Sequence, residues 1–277
     1  MLAFSRIIQA PPLMTFAMNR IKAIQGIRSS LSSGGVSIGS WMQIPSGSVA
    51  EIMGKSGYDW VAVDMEHGSI SVQQLPDLFR ALELGRTLPL VRLASGTSAD
   101  CKSALDAGAG GVIVPMVESA AQLIDIRDAT CWPPVGSRGV GFSRANLFGR
   151  NFDEYCGEAQ APLLVAMIEH ERALASLEGI LAVQGLDAIL VGPYDLSASM
   201  GLVGRFDHPD FVDTIKKIRN LAAKAGIACG IHVVSPSPEQ LEKRLLEGYR
   251  FIAYSIDAVF LHSACSLKAS YEPGLKD

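Results

Sequence analysis

Eight short apolar runs, separated by stretches of helical length, constrain this chain more than any other feature of its sequence. The runs cover residues 37–44, 60–63, 88–93, 111–116, 163–168, 188–191, 228–234 and 251–255. Uninterrupted apolar runs of this length read as strands buried on both faces, as in a parallel sheet. The segments between them, for example 72–84, 119–129, 211–225 and 238–247, carry apolar residues at helical spacing. Strict alternation of the two implies βαβ units, and eight of them predict an α/β fold of the closed (β/α)8 (TIM) barrel type rather than an open doubly wound sheet. Such a barrel takes about 250 residues, which uses most of the 277 in this chain.

Ahead of the first run, Ile21, Ile24, Ile27 and Leu31 recur at steps of three and four, predicting a helix over 18–32 that caps the bottom of the barrel. Residues 1–17 have no period. The expected organisation is therefore an extension, 1–17, and a single barrel domain, 18–277. Glycines precede several strands, as in QGLD and KAGI, where they suit helix C-caps. The longest irregular stretch, 131–157, is too long for an idle connection and is expected to be an active-site loop.

Composition narrows the partners. Hydrophobic residues make up 48% of the chain and charged residues 19%, which supports a packed core. The net charge of -4 comes with interspersed acids and bases, so there is no basic stripe for a nucleic acid or an anionic membrane. Five scattered cysteines without a CxxC pair read as reduced structural thiols, and neither a signal peptide nor a membrane span is apparent. A cytoplasmic protein acting on small molecules is expected.

Barrel enzymes carry their reactive groups at the C-terminal ends of the strands. Trp41 and Gln43 close the first run, Asp64, Glu66 and His67 the second, Arg92 the third, Glu169 the fifth, and Asp195, in GPYD, the sixth. Glu169 and Asp195 would form a hard oxygen site suited to Mg²⁺ or Mn²⁺ rather than zinc. A 2-keto acid could chelate such an ion through two oxygens, with its carboxylate on the planar fork of Arg92. His67 could then take a proton from the carbon beside the ketone, giving an enolate. His170, His208 and His262 lack partners at metal spacing, and Met65, Met116 and Met167 read as core packing.

The stretches GSWMQIPS, GYDWVAVDMEHG, PLVRLA, ALDAGAGGVIVPMV, WPPVGSRGVG, MIEH and GLDAILVGPYDLSASMG follow one another between Gly39 and Gly201. In this order they resemble the metal-dependent (class II) pyruvate aldolases of the HpcH/HpaI type, with macrophomate synthase as a relative. The resemblance implies a (β/α)8 barrel whose C-terminal helix is exchanged with a neighbour, assembled as a homo-hexamer, a trimer of dimers. It implies a divalent metal (Mg²⁺, Mn²⁺ or Co²⁺) on Glu169 and Asp195, and cleavage of a 4-hydroxy-2-keto acid into pyruvate, or a close 2-keto acid, and an aldehyde. Arg92 becomes the enolate clamp and His67 the base. Asp106 becomes the partner of that base, supplied by an adjacent subunit, because it lies at the opposite end of its own barrel. The backbone of Gly192, Pro193 and Tyr194 should contact pyruvate, and Trp41 and Asp64 should line the acceptor side.

Two departures stand out. Met167 occupies a position where these aldolases usually have glutamine, and His232, in GIHVV, stands where an apolar residue is common. Placed near the mouth, His232 is expected to hydrogen-bond a polar acceptor, against the alternative of a neutral histidine packed inside the barrel. The competing functional readings are an acyl-CoA lyase of the citrate lyase β-subunit type, whose members tend to be acidic where His67 stands, and a barrel that only binds a keto acid. No lysine ends any run, so no Schiff base is expected.

Overall fold

A computed structural model describes residues 18–266; the expected extension 1–17 and the last residues of the expected barrel domain, 267–277, lie outside the described residues. Eight strands, β1 (Ser37–Met42), β2 (Trp60–Asp64), β3 (Leu88–Arg92), β4 (Gly111–Val114), β5 (Leu163–Ile168), β6 (Ala188–Val191), β7 (Ala228–Val233) and β8 (Phe251–Ile256), pair in parallel in sequence order. β8 closes on β1. The barrel expected from the alternation is the one observed, and each run lies on or against its strand.

The helices follow the apolar spacing. α1 (Arg20–Ser32) precedes the barrel, and α2 (Gly47–Gly54), α3 (Leu75–Leu84), α4 (Ser98–Asp106), α5 (Ala120–Thr130), α6 (Phe152–Ala159) and α7 (Arg172–Leu181) alternate with the strands up to β6. α8 (Pro193–Ser199), α9 (Pro209–Ala225), α10 (Pro238–Leu246) and α11 (Asp257–Cys265) complete the ring. Their apolar faces pack on outward strand residues such as Val61, Val91, Ile189 and Ile231. Inward residues form a separate core of Trp41, Trp60, Leu90, Val165, Leu190 and Phe251, with Trp60 and Phe251 stacked at 4.6 Å. Of the glycine caps, Gly226 ends α9 at φ +71°, a left-handed conformation that glycine adopts without a Cβ penalty.

α1 plugs the bottom as its spacing predicts. Asn19 caps it by accepting from the Lys22 amide, and Ile24 and Ile27 join the inner core beside Trp60 and Leu163. Burying each isoleucine contributes about 2 kcal/mol.

The stretch 131–157 departs from expectation. It leaves the C-terminus of α5 and returns to the start of β5, so it belongs to the bottom of the barrel and not to the mouth. It carries a short turn of 3-10 helix, Arg144–Asn146, and α6. Arg144 in that turn bonds Glu83 at the end of α3 and the Ala107 carbonyl at the end of α4. Both partners are at helix C-termini, which face the bottom of a parallel barrel. Among the described residues, no helix is long and apolar enough to cross a membrane.

Candidate active site

The mouth is organised around Arg92 at the end of β3. Its Nε and Nη2 donate to the two oxygens of Asp64 at 2.8 and 2.6 Å, and its Nη1 lies 3.1 Å from Oε2 of Glu66. Beneath it, the guanidinium carbon sits 4.5 Å from the centre of the Trp41 ring, a cation–π contact that strengthens where water is excluded. Asp64 is fully buried. It also accepts from the Gln43 side-chain amide and from the backbone amides of Glu66 and His67. Burial pushes its carboxyl upward, but Arg92, Gln43 and the His67 amide outweigh that and hold it below the ordinary carboxylate range.

This geometry revises two expectations. Trp41 and Asp64 are 1% and 0% exposed and are spent on holding Arg92, so they stand behind it instead of lining an acceptor pocket. The fork of Arg92, expected to grip the substrate carboxylate, is occupied by Asp64. Two of the five N–H groups of the guanidinium donate to Asp64, which leaves one on Nη2 and both on Nη1, the latter 3.1 Å from Glu66, for a ligand.

His67 follows on the loop after β2 with its side chain 60% exposed and its Nε2 3.9 Å from Glu66 Oε2. That is beyond a hydrogen bond. Glu66 is lifted above the ordinary range by burial, with Arg92 and His67 opposing and Asp64 and Asp195 adding to the rise.

Glu169 leaves the end of β5 almost fully buried. Its Oε1 accepts from the Met116 amide at 2.6 Å. Its Oε2 faces Gly192, where a Cβ would come within 2.7 Å of it, so any side chain at 192 would displace the carboxylate. Burial is the largest cause that raises the Glu169 carboxyl, to about 7; the Met116 amide and Arg92 oppose it, and Glu66 and Asp195 reinforce it. Asp195 lies exposed in the first turn of α8. Among the described residues no cluster of three or more His, Cys, Asp or Glu side chains is arranged as a metal site. Two carboxylate donors with further positions open to water and substrate nevertheless suit a hard divalent cation, and a buried carboxylate raised by its carboxylate neighbours is one that a cation would stabilise. The residues present fit such an ion.

Gly192 is buried, Pro193 half-buried and Tyr194 57% exposed. They begin α8, where the first amides have no partner within the helix. His232 lies on the inward face of β7, with Ile231 and Val233 outward as expected. Its ring meets Trp41 edge-on at 6.0 Å, and its Nε2 is buried without a hydrogen-bond partner. Burial first and Arg92 second push its pKa down to about 4, against a hydrogen bond to the Ser255 backbone and the Asp64 charge. This matches the neutral packed histidine more closely than the acceptor contact.

Asp106 ends α4 at the bottom, far from His67 of the same chain in the fold. Arg138, whose side chain is buried, holds one of its oxygens at 3.2 Å. The carboxylate also borders a groove of about 620 Å³ between α3 and α4, lined by Pro76, Arg80, Lys102, Arg144 and Phe148. Met116, expected in the core, is instead exposed and stands just past the end of β4. That strand-end position is the sequence signal for its place at the mouth, although its side chain does not ionise.

The model of the family described as HpcH/HpaI aldolase/citrate lyase matches residues 37–264. A hydroxypyruvate/pyruvate aldolase of Roseobacter denitrificans is 38% identical over 252 residues, covering 89% of this chain and 97% of the relative. A 2-keto-3-deoxy-L-rhamnonate aldolase of Salmonella gallinarum is 37% identical over 240 residues, covering 86% and 89%. Among solved structures, an HpcH/HpaI aldolase/citrate lyase family protein of Burkholderia cenocepacia superposes with a TM-score of 0.81 at 31% identity, covering 86% of this chain and 95% of that one.

Proposed function

The chain belongs to the HpcH/HpaI aldolase/citrate lyase family, and from that premise we propose that its mouth residues cleave 4-hydroxy-2-keto acids into pyruvate, or a close 2-keto acid such as hydroxypyruvate, and an aldehyde. It is a carbon–carbon lyase of a metal-dependent family. The observation that carries the assignment of residues is the buried, charge-crowded Glu169 beside Asp195, with Arg92, among the described residues, as the one guanidinium among the mouth carboxylates.

Glu169, through Oε2, and Asp195 would hold a divalent ion, Mg²⁺, Mn²⁺ or Co²⁺. When bound, the ion supplies Lewis-acid polarisation of the ketone. The free N–H groups of Arg92 donate to oxygen as negative charge develops there, and the fixed pairing with Asp64 means no reorganisation is needed. His67, open to the mouth, accepts the proton of the 4-hydroxyl as the C3–C4 bond breaks and the aldehyde forms, then delivers it to C3 of the enolate to give the methyl group of pyruvate; the reverse of that second transfer is the methyl-proton exchange. Asp106 from an adjacent copy of the chain would raise the basicity of that histidine. The groove beside Asp106 supports docking of such a copy, in the hexamer with an exchanged last helix that the family resemblance implies. The first-turn amides at Tyr194 and Asp195 are free to bond the substrate carboxylate. The cytoplasm is the compartment that fits this metabolism.

Exchange of the methyl protons of pyruvate into deuterated water tests the reading. Exchange should stop with chelator, return with Mn²⁺ or Mg²⁺, and survive borohydride treatment in the presence of pyruvate. A covalent pyruvate adduct, or turnover of an acyl-CoA thioester without keto-acid cleavage, would overturn it.

A further inference from the structure

Glu169 depends on a peptide that adopts an unfavourable conformation. Met116, whose amide holds Glu169 Oε1, has φ +50°, in the left-handed region that costs a residue with a Cβ free energy comparable to a hydrogen bond. Something must hold that peptide in place. The Met116 carbonyl accepts from Gln122 Nε2 at 3.1 Å, and Gln122 Oε1 in turn accepts from the Glu118 amide at 2.8 Å. Gln122 itself is anchored in the first turn of α5, where its amide donates to the Ser119 cap at 3.2 Å. One side-chain amide therefore grips both sides of the turn from β4 to α5.

We propose that Gln122 is a positioning residue for cation binding: by clamping the Met116 carbonyl it fixes the amide that engages Glu169 Oε1 and leaves Oε2 to the metal. The inference rests on reading Glu169 as a metal ligand. It goes beyond that reading by assigning a function to a residue that would touch neither cation nor substrate. With the clamp released, Met116 can relax to negative φ and turn its amide away. Glu169 then loses the contact that fixes which oxygen it presents.

Gln122→Glu separates the two halves of the grip. It keeps an acceptor for the Glu118 amide but sets a carboxylate oxygen against the Met116 carbonyl. The added negative charge would by itself attract a cation, so a fall in affinity cannot come from simple electrostatics. Calorimetric titration of cation-stripped protein with Mn²⁺ should show affinity about tenfold weaker, the lower end of what indirect metal partners contribute, while the cation-free melting temperature moves by no more than about 2 °C. Adding Met116→Gly should restore most of the affinity, because glycine takes a positive φ without the clamp. Native Mn²⁺ affinity in Gln122→Glu, or a loss that Met116→Gly does not rescue, overturns the proposal. Gln122→Met, of similar size, repeats the test should the charged variant fail to fold. Glu169→Gln is the control: if it binds Mn²⁺ like the wild type, the ligand reading fails first, whereas lost binding there with native binding in Gln122→Glu sinks this inference alone.

Discussion

Both ends of the barrel bury charged side chains, but only one end balances them. At the bottom, Arg20, Arg138 and Arg144 meet Glu83, Glu158 and Asp106, three cations for three anions. At the mouth, the buried or half-buried Asp64, Glu66 and Glu169 and the exposed Asp195 gather around a single guanidinium among the described residues, Arg92, with Glu66 coupled to the other three. A paired buried cluster fixes geometry, and of the lower residues only the partly exposed Asp106 is proposed to meet a further partner, in an adjacent copy. Carboxylates in excess raise one another's proton affinity, a state that favours a bound cation and that marks sites of chemistry more often than sites of packing. The lower cluster locks the cap helix and the long loop to the barrel. The upper one is arranged for a ligand.

The contrast is tested hardest at Arg92. Arg92→Lys should cost about 2 to 4 kcal/mol in the barrier to cleavage, since an ammonium cannot hold Asp64 with two parallel bonds and still offer donors to the substrate. Stability should fall too, because Asp64 is fully buried and would lose its two-pronged partner. Steady-state kinetics with a 4-hydroxy-2-keto acid and a urea unfolding curve read both quantities. Near-native turnover would reduce Arg92 to an ion-pair residue.

The matching change at the other end is Glu158→Gln, which leaves the buried Arg20 guanidinium with Glu83 as its one anion beside the Ala145 carbonyl. Breaking a buried pair costs about 3 to 5 kcal/mol, and the remaining partner should hold the loss to about 2. Activity per folded molecule should stay native. A fall in turnover without a fall in stability would show that Arg20 and Glu158, and not Asp106 alone at that end, serve the chemistry, and would narrow the distinction.

Much of this was legible in the chain because strand and helix periods are properties of sequence. The runs ending at His67, Arg92, Glu169 and Asp195 follow from buried parallel strands that must stop at polar residues. Hydrogen-bond assignments are not encoded in a period. That Asp64 occupies the fork of Arg92, and that Trp41 lies beneath it, depends on which face of adjacent strands each residue takes and on how far its side chain reaches. The place of 131–157 follows from a different property: its order, after a helix and before a strand, puts it at the bottom of its own barrel, where its Arg138 holds Asp106. The left-handed Met116 had no sequence signal, since nothing in VPMV requires a positive φ.

An effect that vanishes at neutral pH concerns the charge balance of the mouth under acid. Among the described residues, His232 is the one buried mouth residue that could add a second positive charge beside Arg92, and it stays neutral because burial and Arg92 hold its pKa near 4, against 6.5 for a free histidine. Between those values the unfolded chain binds the proton and the folded chain does not. The stability that comes with a neutral His232 is therefore complete above pH 6.5 and is lost progressively as the pH falls toward 4. At pH 5 the loss relative to pH 7 should reach about 2 kcal/mol, at roughly 1.4 kcal/mol for each unit of separation between the two pKa values. A glutamine side chain in place of the imidazole carries no titrating proton, so His232→Gln should flatten this part of the curve while leaving the carboxylate contributions at lower pH intact. Urea midpoints of both proteins at pH 7, 6 and 5 give the comparison. Parallel losses in the two would mean that His232 already protonates in the folded state at ordinary pH, and the mouth would then hold two cations instead of one.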